Sequence, residues 1–115
     1  MLIDLESLEE WANGDIATMK EIIHLFEENT PPTLQLLNQA IASENWEEIA
    51  RHAHKLKSSY GIVVIGNSLE LVQAIQECGL QKTNLDLVKK DFASLEEQFE
   101  AAKSEFADFK EKNPT

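Results

Sequence analysis

The stretch NWEEIARHAHKLKSSYGIVV, residues 45–64, decides the fold class because its apolar residues return at the spacing of a helix. These apolar residues follow a 4-3-4-3 spacing and are Ile49, Ala53, Leu56, Tyr60 and Val63. Such a spacing places all of them on one face of an α-helix. Asn45, with Glu48 three residues later, is typical of a helix start. We therefore predict a helix from Trp46 to about Val64 whose core face is defined.

Apolar residues recur at intervals of three and four along the rest of the chain, and strand-type alternation does not occur. The chain is therefore predicted to be all-α. The other predicted helices are Leu5 to Trp11, Ile16 to about Asn29, the Thr30-Pro31-Pro32 segment to about Ala42, Ser68 to Cys78, and Leu85 to about Lys110.

Turn and break residues define these boundaries. Pro31 and Pro32 predict a break or kink because proline lacks an N–H and suits the first turn of a new helix. Gly79 is interpreted as the residue that ends the helix before it. Among the apolar residues near the start of the chain, Trp11 and Ile16 are predicted to be buried. Trp46 is also predicted to lie in the core.

The last predicted helix carries a heptad stripe of apolar residues: Val88, Phe92, Leu95, Phe99, Ala102, Phe106 and Phe109. Such a stripe either drives a coiled-coil dimer or packs into the bundle of its own chain. We favour the second alternative, and with it a monomer.

Length and composition predict one domain over residues 1–115. A chain of 115 residues with 43% apolar residues and only four glycines has enough apolar surface for one core. Its single cysteine, Cys78, allows no internal disulfide. No signal peptide or long apolar run is evident, so a cytoplasmic location without a membrane segment is expected.

The charge distribution narrows the possible partners. A net charge of −11 argues against nucleic acid, because phosphate backbones are bound by basic faces. Residues 46–66 are the one positive stretch, at +1. An anionic ligand or modification is best tolerated there, and the alternative is a solvated helix face of mixed charge.

Two histidines lie in this positive stretch, on opposite borders of the core stripe. Arg51 precedes His54 by three residues and Lys57 follows it by three, so two cations favour a neutral ring and can stabilise an attached anion. The neighbours one and two turns away are small: Ala50, Ser58 and Gly61. His52 instead has Glu48 four residues before it, a carboxylate that opposes a phosphoryl group. His54 is therefore the candidate reactive residue, and an exposed surface histidine is the alternative.

Other kinds of site find little support. His52 and His54 point about 200° apart on a helix and cannot bind one metal ion together. The sequence has no glycine-rich phosphate loop and no nucleophile with a placed base, so the chain is not expected to be an enzyme on its own. His24, the third histidine, is interpreted as structural or exposed.

The segment AHKLKSS at 53–59 resembles the phosphoacceptor motif of histidine-containing phosphotransfer (HPt) domains, whose pattern is Ala-His-x-Leu-Lys-Gly-Ser. NGD at 13–15, LFEENTPP at 25–32 and AIASENWEEIARHAHKLK at 40–57 resemble the same family, and the likeness covers about residues 3–78. It implies an antiparallel, up-down four-helix bundle with short extra N-terminal helices.

The resemblance also implies roles for individual residues. His54 would be the phosphoacceptor and Lys57 the cation beside its phosphoryl oxygens. Gln76 lies 22 positions after His54, where the family often has a glutamine or glutamate that accepts a hydrogen bond from the ring. The expected docking surface comprises Arg51, Lys55, Ser58 and Gly61.

Two positions depart from the family pattern. Ser58 replaces the usual glycine but is still small, so we expect it to be tolerated. The glycine of the following turn is displaced to Gly66, and a longer turn would bring Cys78 rather than Gln76 to the ring. We prefer Gln76 because the apolar positions of the following helix keep their usual spacing.

The resemblance implies a phosphocarrier in a two-component phosphorelay. His54 would exchange a phosphoryl group with aspartates of response-regulator receiver domains, in a pathway that includes a hybrid sensor histidine kinase. The receiver would supply Mg²⁺, and this chain would bind no cofactor of its own. The alternative is an adaptor or dimerising helical bundle that keeps the fold without phosphotransfer.

Overall fold

Five α-helices account for most of residues 2–114, the part of the chain that this computed structural model describes. They are α1 (Leu5–Trp11), α2 (Ile16–Ala42), α3 (Trp46–Ile62), α4 (Ser68–Gln81) and α5 (Leu85–Lys112). The predicted all-α class is confirmed, with α2–α5 forming the bundle and one short helix, α1, preceding it. No helix within residues 2–114 combines the length and the apolar character needed to cross a membrane.

Helix α3 starts as its sequence predicts. Asn45 is the N-cap, and its side-chain oxygen accepts a hydrogen bond from the backbone N–H of Glu48 at 3.2 Å. The Glu48 carboxylate binds Arg51 and His52 instead of returning to Asn45, so the capping box is half formed. This arrangement brings Glu48 into the surroundings of the candidate site.

Helix α2 runs without a break through Pro31 and Pro32, so the break and the new helix start predicted there were wrong. Both prolines are exposed, on the side where water can hydrate a carbonyl group that has lost its N–H partner. Their neighbours Thr30, Thr33 and Leu34 are buried against the bundle. Packing of the buried face therefore keeps the segment helical despite the local preference of proline for a helix start.

The four long helices are antiparallel neighbours. Lys110, near the end of α5, pairs with Glu27 in the first half of α2, and Lys20 donates to the Asn113 carbonyl at 2.7 Å. At the centre, the Phe26 ring contacts the rings of three residues at centroid distances of 5.2 to 5.9 Å: Tyr60, Phe99 and Phe106. The heptad stripe of α5 is thus used within its own bundle, as predicted.

Some predicted core residues lie at the edge of the bundle. The short helix α1 packs inward through Leu8, while the adjoining Ala12 is also buried, and this leaves Trp11 59% exposed. Ile16, at the first position of α2, is 42% exposed. Trp46 is half-buried against the core. Apolar character alone overestimated the burial of these residues. Each lies at or beside a helix end, where only part of its surroundings is protein.

The segment before α1 is paired with the α3–α4 loop. Asp4 N–H donates to the Val64 carbonyl at 2.9 Å, and Gly66 N–H donates to the Leu2 carbonyl at 2.8 Å. Gly66 has φ +50°, and a Cβ there would lie 2.5 Å from Oε1 of Gln98. The left-handed backbone favours glycine where this loop turns toward α4, whereas the Gln98 side chain is flexible and can move aside.

Candidate functional site

His54 lies on the exposed face of α3, opposite the buried stripe. Ile49, Ala53 and Leu56 are almost fully buried on the other side of the same helix. The core contacts of α3 therefore hold the helix rigidly while the imidazole remains accessible from solvent. The helical spacing placed His52 and His54 on opposite borders of the core stripe, and the structure exposes His54 but buries His52.

The side chain next to the His54 ring is that of Gln76 on α4. Its Nε2 lies 3.2 Å from Nδ1 of His54. The turn register expected from the sequence, with Gln76 rather than Cys78 facing the ring, is therefore the one that the structure has. Within residues 2–114 the ring makes no other hydrogen bond or ion pair, so its Nε2 remains available.

The Gln76 amide is compatible with either neutral form of the ring. With its nitrogen toward Nδ1, the amide donates and the ring proton resides on Nε2. After a half-turn of the amide group, its oxygen accepts from Nδ1–H and the Nε2 lone pair becomes the free nucleophile. Because the two orientations occupy the same space, Gln76 can hold the ring in the form that attacks through Nε2.

Helix α4 approaches α3 closely at Gly79. The helix continues past Gly79 to Gln81, and Lys82 in the left-handed conformation, φ 54°, forms the C-cap. The prediction that the helix ends before Gly79 was therefore wrong. A Cβ at Gly79 would lie 2.8 Å from the backbone nitrogen of Ala50, so glycine is present here because two helices meet, and not because a helix ends.

The cations around His54 are not equivalent. The Arg51 guanidinium binds the Glu48 carboxylate. This hydrogen bond lowers the pKa of Glu48 and raises the pKa of Arg51. Lys55 and Lys57 are exposed and take part in none of the ion pairs formed within residues 2–114. Lys57 therefore has no carboxylate partner among the described residues and is free to meet an anion, whereas Arg51 already has such a partner.

The other two histidines have local partners. His52 is only 8% exposed, and its Nε2 lies 3.1 Å from the Glu48 carboxylate. His24 is exposed and lies 3.1 Å from Glu28 on the next turn of α2. Burial and a carboxylate partner make His52 a poor position for a phosphoryl group, which leaves His54 as the candidate.

The surface around His54 is open. Ser58 is exposed, and a Cβ built at Gly61 would meet no atom within 4 Å. The packing of the chain itself therefore does not require glycine at position 61. The small residues leave room for a second molecule above the ring.

Cys78 lies half-buried on α4, and because it follows Gln76 by two residues its side chain is rotated by about 200° from the one that contacts the ring. Burial raises the pKa of its thiol, and the carboxylates of Asp91 and Glu77 raise it further. A raised pKa favours the protonated thiol over the nucleophilic thiolate. Within residues 2–114, no group of three or more His, Cys, Asp or Glu side chains is arranged to hold a metal ion.

An apolar groove beside α3 was not predicted. It has a volume of about 240 Å³ and is lined by Trp11, Ile22, Leu25, Phe26, Asn29, Ser59, Ile62 and Val63. Leu25 was the available signal, since it is an apolar residue outside the buried stripe of α2 and is 46% exposed. Because Trp11 was predicted to be buried, it was not recognised as part of an exposed groove.

Comparison with known proteins agrees with the geometry. The family model described as Hpt domain matches residues 21–105, about three quarters of the chain. Searches of curated proteins and of solved structures found no match. Hpt domains are helical bundles, as this chain is, and the matched region contains both His54 and Gln76. The chain belongs to the Hpt domain family.

Proposed function

We propose that this protein is a phosphocarrier that accepts a phosphoryl group on His54 from an aspartyl phosphate of one receiver domain and donates it to an aspartate of another. Hpt domains act in phosphotransfer within two-component phosphorelays. The observation that carries the proposal for this chain is the exposed His54 ring with Nδ1 beside the Gln76 amide. The proposed location is the cytoplasm, with the chain acting as a monomer.

The proposed step exchanges one bond to phosphorus for another. The Nε2 lone pair of His54 attacks phosphorus, an N–P bond forms, and the O–P bond to the receiver aspartate breaks. The aspartate leaves as a carboxylate, and the ring keeps its proton on Nδ1. The reverse step regenerates the neutral ring, so the chain itself needs neither a nucleotide nor an oxidant.

Charge at the transferring group is handled by both partners. The receiver domain supplies Mg²⁺ and its acidic pocket in this proposal, and Lys57 supplies a cation from the carrier side. An ammonium group near the phosphoryl oxygens stabilises negative charge as the group moves. Because Lys57 has no carboxylate partner within residues 2–114, no ion pair has to break first.

The proposed docking face surrounds His54 and extends into the apolar groove. Its part around the ring comprises the four residues expected from the sequence: Arg51, Lys55, Ser58 and Gly61. Ile62 lies eight residues after His54, about 12 Å along α3, and belongs to the groove wall. An aliphatic surface this close to the ring provides binding area that the charged residues alone lack.

Phosphoryl transfer from a labelled receiver tests the proposal. A phosphorylated receiver with Mg²⁺ should label the protein with an acid-labile, alkali-stable group, as expected for a phosphoramidate, whereas ATP and Mg²⁺ alone should not. His54→Gln should abolish labelling. His52→Gln is the matched control and should keep most of it.

Two outcomes would contradict the proposal. Full labelling of the His54→Gln protein would remove His54 as the acceptor. Receivers that bind the chain without ever labelling it would favour the alternative, an adaptor with the Hpt fold. A panel of receivers from the same genome is needed, since only the physiological partner is expected to react fast.

A further inference from the structure

Gly79 on α4 lies one turn from the contact between Gln76 and His54. We propose that Gly79 is a positioning residue: its missing side chain lets α4 approach α3 closely enough for the Gln76 amide to reach the ring. The effect of Gly79 on the His54 ring is argued from geometry alone. Its effect on transfer rests on the proposed function.

The first step of the argument is the space at Gly79. A Cβ there would lie 2.8 Å from the backbone nitrogen of Ala50 and 3.1 Å from both its Cα and its Cβ. Carbon atoms do not approach so closely without repulsion, because optimal separations are about 3.5–4.0 Å. The nearest atom belongs to the backbone of α3, which cannot rotate away as a flexible side chain does. Any residue larger than glycine therefore pushes α4 outward.

The second step is the register of the two helices. Gly79 follows Gln76 by three residues, and Ala50 precedes His54 by four, so the two contacts are stacked one turn apart along the antiparallel pair. The gap between Nε2 of Gln76 and Nδ1 of His54 is 3.2 Å, the upper end of the range for a good hydrogen bond. An outward shift of α4 by a few tenths of an ångström would therefore break this contact.

The state of the His54 ring provides the first readout. Nitrogen-15 NMR of the unphosphorylated protein reports the shifts of both ring nitrogens and their pH titration. We expect Gly79→Ala to reproduce the ring spectrum of Gln76→Ala. Gly61→Ala, a matched substitution at a helical glycine with open space around it, should keep the wild-type ring spectrum. A wild-type ring spectrum in Gly79→Ala would overturn the proposal.

A double-mutant cycle in the transfer reaction provides the second readout. Gly79→Ala should lower the transfer rate by about five- to tenfold in the wild-type background and cause no further loss in the Gln76→Ala background, since both changes remove one contact. Equal losses in the two backgrounds would show that Gly79 does not act through Gln76. If the wild-type protein accepts no label, the proposed function fails, and the ring spectrum still decides the role of Gly79.

A second variant changes the same interface on the opposite helix. Ala50→Val enlarges the α3 side of the contact. It is used in place of Gly79→Ala if circular dichroism shows that the Gly79→Ala protein does not fold. The expected ring spectrum is again that of Gln76→Ala. A folded Ala50→Val protein with a wild-type ring would count against the proposal.

Discussion

At the scale of single residues, the His54 site depends on which ring nitrogen carries the proton. A neutral imidazole has one donor and one acceptor, so the group that binds Nδ1 determines whether Nε2 is nucleophilic. The Gln76 amide lies beside Nδ1 of His54. Its oxygen can accept a hydrogen bond from Nδ1–H, or its nitrogen can donate one to Nδ1, so the amide can favour either neutral form of the ring. In the proposed transfer, Gln76 would therefore act on the ring without touching the phosphoryl group.

Gln76→Ala tests this role. Removing the amide should slow transfer by about tenfold, equivalent to roughly 1.4 kcal/mol and within the range of one hydrogen bond. Cys78→Ala should change the rate little, because the Cys78 side chain does not face the ring. Single-turnover transfer from a phosphorylated receiver measures both rates. A larger loss in Cys78→Ala than in Gln76→Ala would contradict the assignment.

Lys57→Ala tests the free cation. We expect transfer to slow by about three- to tenfold, since a cation that faces water stabilises charge less than a donor in a closed site does. Arg51→Ala should cause a smaller loss because its guanidinium is already bound to Glu48. The melting temperature should barely change in Lys57→Ala, which separates chemistry from folding. Equal transfer rates in wild type and Lys57→Ala would show that Lys57 is a solvated surface residue without a role in transfer.

For the candidate site, the structure bears out the predicted contact between Gln76 and His54, while the roles of these residues stay predictions. Helical spacing and the family resemblance together indicated His54, Lys57 and Gln76. Spacing did not reveal that Arg51 pairs with Glu48, because Arg51 lies three residues from both Glu48 and His54. The long, flexible Arg51 side chain can turn toward either neighbour, and in the structure its guanidinium binds the Glu48 carboxylate.

At the scale of the elements, most helix starts were predictable and some helix continuations were not. The cap at Asn45 is a local signal, satisfied by a hydrogen bond three residues away. Whether a helix passes Pro31 or Gly79 depends instead on what packs against it. Buried neighbours hold α2 together across its prolines, and a close contact with Ala50 explains Gly79. Such tertiary causes are not visible in local sequence preferences.

The α4–α5 interface contains a carboxylate whose burial predicts a pH effect. Burial raises the pKa of Asp91, and Lys90 offsets part of this rise. The folded state therefore binds the Asp91 proton more tightly than the unfolded state does, so the ionised form destabilises the fold above the folded-state pKa. This penalty disappears below about pH 4, where the carboxyl is protonated in both states.

Asp91→Asn should accordingly raise the melting temperature at pH 7, and the gain should vanish toward pH 3. Asp86→Asn is the control on the same helix. Asp86 lies in the first turn of α5, where a negative charge stabilises a helix, so its loss should slightly lower the melting temperature at pH 7. Thermal unfolding of the three proteins at both pH values measures this. A destabilising Asp91→Asn at pH 7 would show that the ionised carboxylate has a favourable partner.

At the scale of the whole molecule, the bundle leaves an apolar groove on the helix that carries the exposed His54 ring. The α5 stripe is buried in its own chain, so the largest apolar repeat of the sequence is already used. The groove between α1, α2 and α3 keeps Leu25 and Trp11 exposed. In the proposed function the groove would add aliphatic contacts to the receiver interface, while the positive stretch 46–66 would meet the anionic phosphoryl group.

Leu25→Glu tests the groove as part of the docking face. Receiver affinity should fall by about tenfold, as expected if roughly 1.4 kcal/mol of apolar contact is lost. Leu36→Glu is a closely matched control, because Leu36 lies on the same helix and is 45% exposed, compared with 46% for Leu25, but lies outside the groove. Isothermal titration with the receiver compares the two dissociation constants. Equal affinities in the two variants would exclude the groove from the interface.

The segment before α1 is bound to α5 through Glu105. The two oxygens of the Glu105 carboxylate accept hydrogen bonds from the backbone N–H groups of Leu2 and Ile3, each at 3.0 Å. The Ile3 side chain is 5% exposed, and its backbone pairs with Ile65 in the α3–α4 loop. Glu105 on α5 therefore stabilises the loop from which α4 starts, even though it lies far from that loop in sequence.

Glu105→Ala should lower the free energy of unfolding by about 1–3 kcal/mol, because two hydrogen bonds to a charged acceptor are lost. Glu105→Gln keeps a single acceptor oxygen and should fall between this variant and the wild type. Glu100→Ala, on the same helix, removes only an exposed ion pair with Lys103, which contributes about 0–1 kcal/mol. Urea denaturation measures all three.

Amide hydrogen exchange locates the effect of Glu105→Ala. The Gly66 N–H, bonded to the Leu2 carbonyl, should exchange faster in this variant, while amides in the middle of α3 should keep their protection relative to global unfolding. Because the α3–α4 loop sets the start of α4, a loosened loop also predicts a weaker Gln76 contact at the His54 ring. Unchanged protection of Gly66 together with unchanged stability would show that the segment before α1 is held by its apolar packing, and not by the Glu105 carboxylate.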